Sequence, residues 1–408
     1  MRRSAWLLLL LAALLCACGV REAPPEVVPE EPPVREPVQE PEPVPPPLPE
    51  PDPKEEAVEA ILGEMTPEEK VGQLFFPKCP ETGALEKIGE YHLGGYLLFT
   101  ADFKNAAGQW LTAEEFVEKI EGYQEAASVP MLIGVDEEGG TVARASRNPN
   151  LFPEKFKSPR QVFAAGAAEN PEGGFLAGME AIRADAAVKN TGLRGYGINV
   201  NFAPVADMAA DPGDFMYDRS FSGDARETAH FVAVAVTEMN RAGVGAVLKH
   251  FPGYGDNVDT HTGIAVDERP WERFMIHDFA PFREGILCGA GAVLVSHNIV
   301  TCMDGELPAS LSPEVHRILR EELGFEGVIL TDDLDMSAVK AYAAEGSVAE
   351  LAVLAGNDMI VTSDFEKQIP LVLEAVEAGR IEESMLDEAV RRVLGWKYDL
   401  GLIGETND

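Results

Sequence analysis

Positive charge is scarce in this chain. Its 408 residues carry 33 Lys and Arg against 69 Asp and Glu, a formal net charge of -36. A phosphate backbone demands a basic footprint, so this balance argues against nucleic acid as a partner. Cysteine is scarce too, with five in all, of which Cys16 and Cys18 sit close to the N-terminus. The other three, Cys79, Cys288 and Cys302, have an odd count and no CxxC spacing. Neither a disulfide framework nor a cysteine metal site follows, and they read as isolated, mostly buried thiols. The apolar run WLLLLLAALL is too short to span a bilayer. No GxGxxG or Walker pattern follows the first expected strand, which argues against a nucleotide ligand.

The N-terminus reads as a targeting device. Arg2 and Arg3 precede the apolar run, which then meets small residues and cysteine, the layout of a secretory signal over residues 1–17. The stretch LCAC followed by Gly19 resembles a bacterial lipobox, with Cys18 as the acylated first residue of the mature protein. Each buried methylene of an acyl chain contributes about 0.8 kcal/mol, so several chains on one cysteine hold firmly. Residues 18–55 are dominated by Pro and Glu. Such a segment cannot bury enough apolar surface to offset ordering, and its prolines favour an extended spacer. At about 3.1 Å per residue this disordered stalk reaches roughly 100 Å. The expectation is an exported protein, lipid-anchored in the bacterial cell envelope and touching the membrane through that anchor only.

The folded part is expected over residues 56–408. GEMTPEEKVGQLFF carries Thr66 as a helix cap, Pro67 at the first helical position and Glu69 to complete a capping box. Short apolar runs then alternate with amphipathic stretches. Strands are predicted at 94–99, 129–135, 197–205, 244–251, 291–297, 327–331 and 358–363. Stretches such as AEEFVEKIEGYQEAA and PEVHRILREELG show helical three-four spacing between them. This alternation, with continuously apolar strands, predicts a parallel α/β sheet. Periodicity alone does not separate a barrel from an open sheet. Polar clusters follow five strands: DEEGG, PVAD, KHFPG, SHN and TDDLD. Catalytic groups spread over many strand ends favour a single TIM-type (β/α)8 barrel, because an open sheet would gather them at one switch point.

Two stretches carry the chemistry. In KHFPGYGDNVDTHTG (249–263), Lys249 and His250 close a buried strand, where polar side chains need partners or a site. The loop that follows holds Asp259 and His261 two residues apart, so that the carboxylate can orient the imidazole and make it a tunable acid. In GVILTDDLDM (327–336), Asp332 follows a buried strand directly. Asp332, Asp333 and Asp335 suit either a divalent cation or a nucleophilic carboxylate with neighbours capping the next helix. Without an EF-hand-like glycine and glutamate, the nucleophile ranks first. Glu137 and Glu138 read as hydrogen-bonding partners of their own loop. His297 reads equally as pocket lining or as a hydrogen-bonded core residue, and Trp396 as core.

KHFPGYGDNVDTH, DEEGGTVAR, DRSF and ILTDDLDM together resemble glycoside hydrolase family 3, in particular bacterial β-N-acetylglucosaminidases of NagZ type. The resemblance runs from GEMTPEEKVGQLF to RRVLGWKYDLGL. It implies the barrel, and it assigns roles by motif: Asp332 as nucleophile, His261 as acid/base, Asp259 as its partner. Asp136, Arg144, Arg219, Lys249 and His250 fall on residues that grip the sugar, and the glycine pair in DEEGG is expected to let backbone approach the ligand. The implied reaction is retaining removal of terminal β-linked N-acetylglucosamine, from peptidoglycan fragments given the anchor, without metal or organic cofactor. Tyr254 stands where the family usually has a second His, and the dyad loop is one residue shorter. Three other readings remain: a phosphorylase acting at the same site, a β-glucosidase or β-xylosidase, and an inactive glycan-binding protein. The second lacks a proton donor from a further domain, and the third would predict a broken motif.

Overall fold

The computed structural model describes residues 52–255, 265–340, 342 and 347–404. The proposed leader, Cys18, nearly all of the Pro/Glu-rich linker, and both Asp259 and His261 lie outside the described residues. The first helix, Pro53–Leu62, begins three residues ahead of the expected boundary. Asp52 caps it by accepting from the Lys54 backbone, and Lys54 Nζ pairs with Asp399 at 2.6 Å.

Eight short strands are assigned among the described residues: β1 (Gly95–Leu98), β2 (Leu132–Val135), β3 (Val200–Asn201), β4 (Gly245–Phe251), β5 (Val266–Asp267), β6 (Ala292–Val295), β7 (Ile299–Val300) and β8 (Val328–Thr331). Six form one parallel sheet in the order β1-β2-β3-β4-β6-β8, and β5 pairs with β7 separately. Isolated parallel bridges extend the ladder at both edges. Leu330 meets Met359, Phe75 meets Ile360, and Lys78 meets Leu97. Six of the seven predicted strands therefore lie in the sheet. The run at 358–363 contributes only bridges, and the extended stretch around Phe75–Lys78 was hidden in the tail of a helical pattern.

Both faces of the sheet are covered, which is why its strands read as unbroken apolar runs. Leu97, Leu132, Val200, Val247, Leu294, Val328 and Leu330 share one cluster with Phe76, Phe202, Met359 and Trp396. Their alternating neighbours, among them Ile133, Leu248, Val293 and Ile329, face the helices. Trp396 is core, as its pattern implied. Thr66 and Glu69 form the predicted reciprocal capping box, and a second one, not anticipated, joins Thr112 and Glu115. Cys79 and Cys288 are partly buried, whereas Cys302 is exposed against expectation, because it falls in the turn after β7.

Candidate active site

Parallel strands deliver their C-terminal ends to one rim, and there a cavity of about 340 Å³ opens. Asp136, Arg144, Arg219, Lys249, His250 and Asp332 all line it, so six of the eight sequence-nominated catalytic and sugar-binding residues converge. The other two, Asp259 and His261, lie outside the described residues.

Each lining group is held by a specific device. Asp136 follows β2 directly. The Asn201 side chain, at the end of β3, accepts from the Glu137 N–H at 3.0 Å and donates to the Glu137 carbonyl at 3.2 Å. Glu137 then accepts from the backbone of Arg144 and Ser146 and from the Ser146 hydroxyl, which folds the turn back and sets Arg144 beside Asp136. Arg144 Nη2 lies 4.0 Å from Asp136 Oδ2, its guanidinium stands over the Phe99 ring, and its buried Nε has no hydrogen-bond partner among the described residues. Glu137 thus serves its own loop, as expected. Glu138 does not.

Glu138, only 4% exposed, is the hub of the pocket floor. It receives Arg219 through two bonds of 3.0 and 2.8 Å and lies 2.7 Å from Lys249 Nζ. Lys249 Nζ also donates to Asp136 at 2.7 Å. Burial alone would raise the Glu138 carboxyl, but Arg219 and Lys249 outweigh it and hold it well below the usual carboxylate range. Burial likewise works against the Lys249 ammonium, yet Asp136 and Glu138 raise it on balance, so both partners stay charged. Lys249 and His250 are consecutive in β4 and both reach the pocket. Regular pleating would send them to opposite faces, but the register shifts between Leu248 and Phe251.

Sequence reasoning missed two contributors. Asp207, 2% exposed, ends the PVAD cluster after β3 and accepts from the Nδ1 side of His250 at 2.7 Å, from its backbone at 2.9 Å and from Tyr254 N at 2.8 Å. Its position after a buried strand was the available signal. Lys78 pairs with Asp333 beneath the pocket rim. That pairing and the bonds from Ser363 to Asp335 engage the two aspartates after Asp332. Burial raises the Asp333 carboxyl, with Lys78 pulling the other way. Asp332 itself is set by its backbone N–H, which donates to Val295 O at 2.9 Å, and its Oδ1 accepts from Asp333 N at 2.8 Å. His297 is fully buried, bonded to Ser310 Oγ at 2.7 Å and to the Asp333 carbonyl at 2.9 Å, so it braces this turn from within the core.

A carboxylate-and-cation pocket at the strand ends of a parallel α/β sheet suits a polyhydroxylated ligand, and known proteins agree. The profile of the glycosyl hydrolase family 3 N-terminal domain matches residues 66–395. A protein of Xanthomonas oryzae pv. oryzae named beta-hexosaminidase is 33% identical over 320 residues, covering 77% of this chain and 89% of its own length. A solved family 3 beta-N-acetylglucosaminidase from Paenibacillus sp. is 32% identical with a TM-score of 0.72, over 84% of this chain; the match spans 64% of that longer protein. A solved beta-N-acetylhexosaminidase from Beutenbergia cavernae is 27% identical with a TM-score of 0.68, over 81% of this chain and 98% of its own. The chain is a glycoside hydrolase. It belongs to glycoside hydrolase family 3.

Proposed function

We propose that this enzyme removes terminal β-linked N-acetylglucosamine with retention, acting on peptidoglycan fragments. The observation that carries the reading is the company Asp332 keeps. A carboxylate at a strand end shares one cavity with Asp136, Arg144, Arg219 and Lys249, and the relatives' names point to hexosaminides. Arg144 Nε, a buried donor lacking a partner among the described residues, suits a sugar hydroxyl or amide oxygen. In the first step an Asp332 oxygen attacks the anomeric carbon while the bond to the leaving oxygen breaks and His261 donates a proton to that oxygen. Water then attacks the same carbon, His261 takes its proton, and the ester to Asp332 is released. Asp259 orients the imidazole throughout.

The fold belongs to the same proposal. The bridges at Phe75, Lys78, Met359 and Leu330 supply two further staves that close a (β/α)8 barrel, and residues of all eight staves share the inner cluster. Ahead of it stand a signal peptide, an acyl anchor on Cys18 and a Pro/Glu spacer, which would hold the barrel off the membrane.

The test is hydrolysis of a chromogenic N-acetyl-β-glucosaminide by the full chain, with and without phosphate, beside its Asp332→Asn variant. The expected result is free sugar in both buffers and a loss of at least about 10³-fold in the variant. Sugar phosphate as product, or a plain β-glucoside cleaved in preference, would overturn the substrate and reaction assigned. An active variant would overturn the nucleophile.

A further inference from the structure

The ring of His250 lies between a group that accepts and a group that donates. Nδ1 is 2.7 Å from Asp207 Oδ2, and Nε2 is 3.2 Å from Arg219 Nη2. A guanidinium nitrogen has only hydrogens to offer, so Nε2 must present its lone pair. Nδ1 then carries the ring's single proton and gives it to the carboxylate. The alternatives fail on the same geometry. An imidazolium, or the Nε2–H tautomer, would set N–H against N–H across the contact with Arg219.

We infer that Asp207 is a positioning residue of the pocket, acting through His250, whose pocket-side nitrogen is an acceptor that holds Arg219. Neither end of this strut is free to turn. Asp207 spends its two oxygens on His250 and on the backbone N–H groups of His250 and Tyr254. Arg219 is already gripped in a fork by Glu138, and the bond from Nη2 to His250 fixes the remaining rotation of its plane. His250 thereby aims Arg219, with the single lone pair of Nε2 turned to the guanidinium. Water favours the other neutral tautomer for free histidine, so the form expected here is diagnostic.

The functional half of this inference rests on the sugar-binding role proposed for Arg219; the tautomer does not. With only seven histidines in the chain, ¹⁵N-histidine labelling of the full-length protein at mildly alkaline pH reads the ring directly, His250 being assigned by its loss in variants. The Nδ1–H pattern is expected, and an Nε2–H or doubly protonated ring overturns the inference. Asp207→Asn must place an amide N–H against one of the existing donors. It should lower kcat/KM about 10- to 100-fold, mostly through KM; an unchanged kcat/KM overturns the positioning role.

Because Asp207→Asn is a buried change, two further variants separate positioning from folding. In His250→Gln the amide oxygen reaches the Nε2 position and can still accept from Arg219. In His250→Asn the amide keeps the Asp207 contact and leaves Arg219 without its acceptor. The Gln variant should retain several-fold more kcat/KM than the Asn variant, even where it melts lower. The reverse order would mean that Asp207 serves the fold alone. Should the wild type cleave no N-acetylglucosaminide, the proposed substrate falls, and the labelled ring still decides the strut.

Discussion

Glu137 and Glu138 follow Asp136 directly, and the fold sends them opposite ways: one back into its own turn, the other into the pocket floor. Depressed carboxyls such as Glu138 stabilise the fold above their unfolded value, about 4.3, and lose that contribution as pH falls toward the folded value. Glu138→Gln should therefore cost about 3–5 kcal/mol at neutral pH, because Lys249 and Arg219 lose a buried partner. Denaturation curves should show this cost shrinking below about pH 4; an equal cost at both pH values would contradict the pairing. Lys397 gives a pH slope of the same sign, but here the charged form is the one that burial penalises. It is fully buried with Gln73 Oε1 at 2.6 Å, and burial pushes its ammonium down to about 7. Between that value and the unfolded one near about 10.4, the unfolded chain binds more protons, so this group makes stability rise with pH. The stability difference between Lys397→Met and wild type should favour the variant most at and below neutral pH. It should decline as pH climbs toward the ordinary lysine range, and a pH-independent difference from urea titrations would refute the burial account.

At the scale of elements, the local signals were the dependable ones. The capping box at Thr66 was legible because it is a contract between residues three apart, and the box at Thr112 has the same spacing. The DEEGG loop was legible as a glycine-requiring turn, but for a different reason than ligand approach. Gly139 has φ +96°, and a Cβ there would lie 2.2 Å from the Lys157 carbonyl, while Gly140 crowds Ser158. These glycines let the turn dock on the backbone ahead of the helix Pro159–Glu169. Gly139→Ala should thus destabilise by about 2 kcal/mol or more and lower activity with it, since Asp136, Glu138 and Arg144 flank the turn. A variant that melts like the wild type would show that the loop can yield. β3 was harder to bound: only Val200 and Asn201 pair regularly, because Asn199 and Asn201 spend their side chains on the neighbouring strand and turn.

On the scale of the whole molecule, the acidic excess, the leader and the spacer form one expectation: an enzyme tethered in the envelope. Cys18→Ser in the full chain, expressed in a bacterium, should move the protein from the membrane fraction to the soluble one with catalysis unchanged. Retention of the variant in the membrane would overturn the anchor. The order of strands and helices, the strand-end clusters and most of the pocket's lining were readable from sequence. Apolar runs of strand length, helical periodicity and motif spacing all act over a few residues, and the chain carries them openly. Tertiary structure alone decided which polar residues became partners. Asp207 and His250 stand 43 positions apart, Glu138 and Arg219 81, Asp136 and Lys249 113. No local pattern encodes such pairings. They arise because parallel strands bring distant C-terminal ends to one rim, where a buried charge must find its opposite within hydrogen-bonding distance.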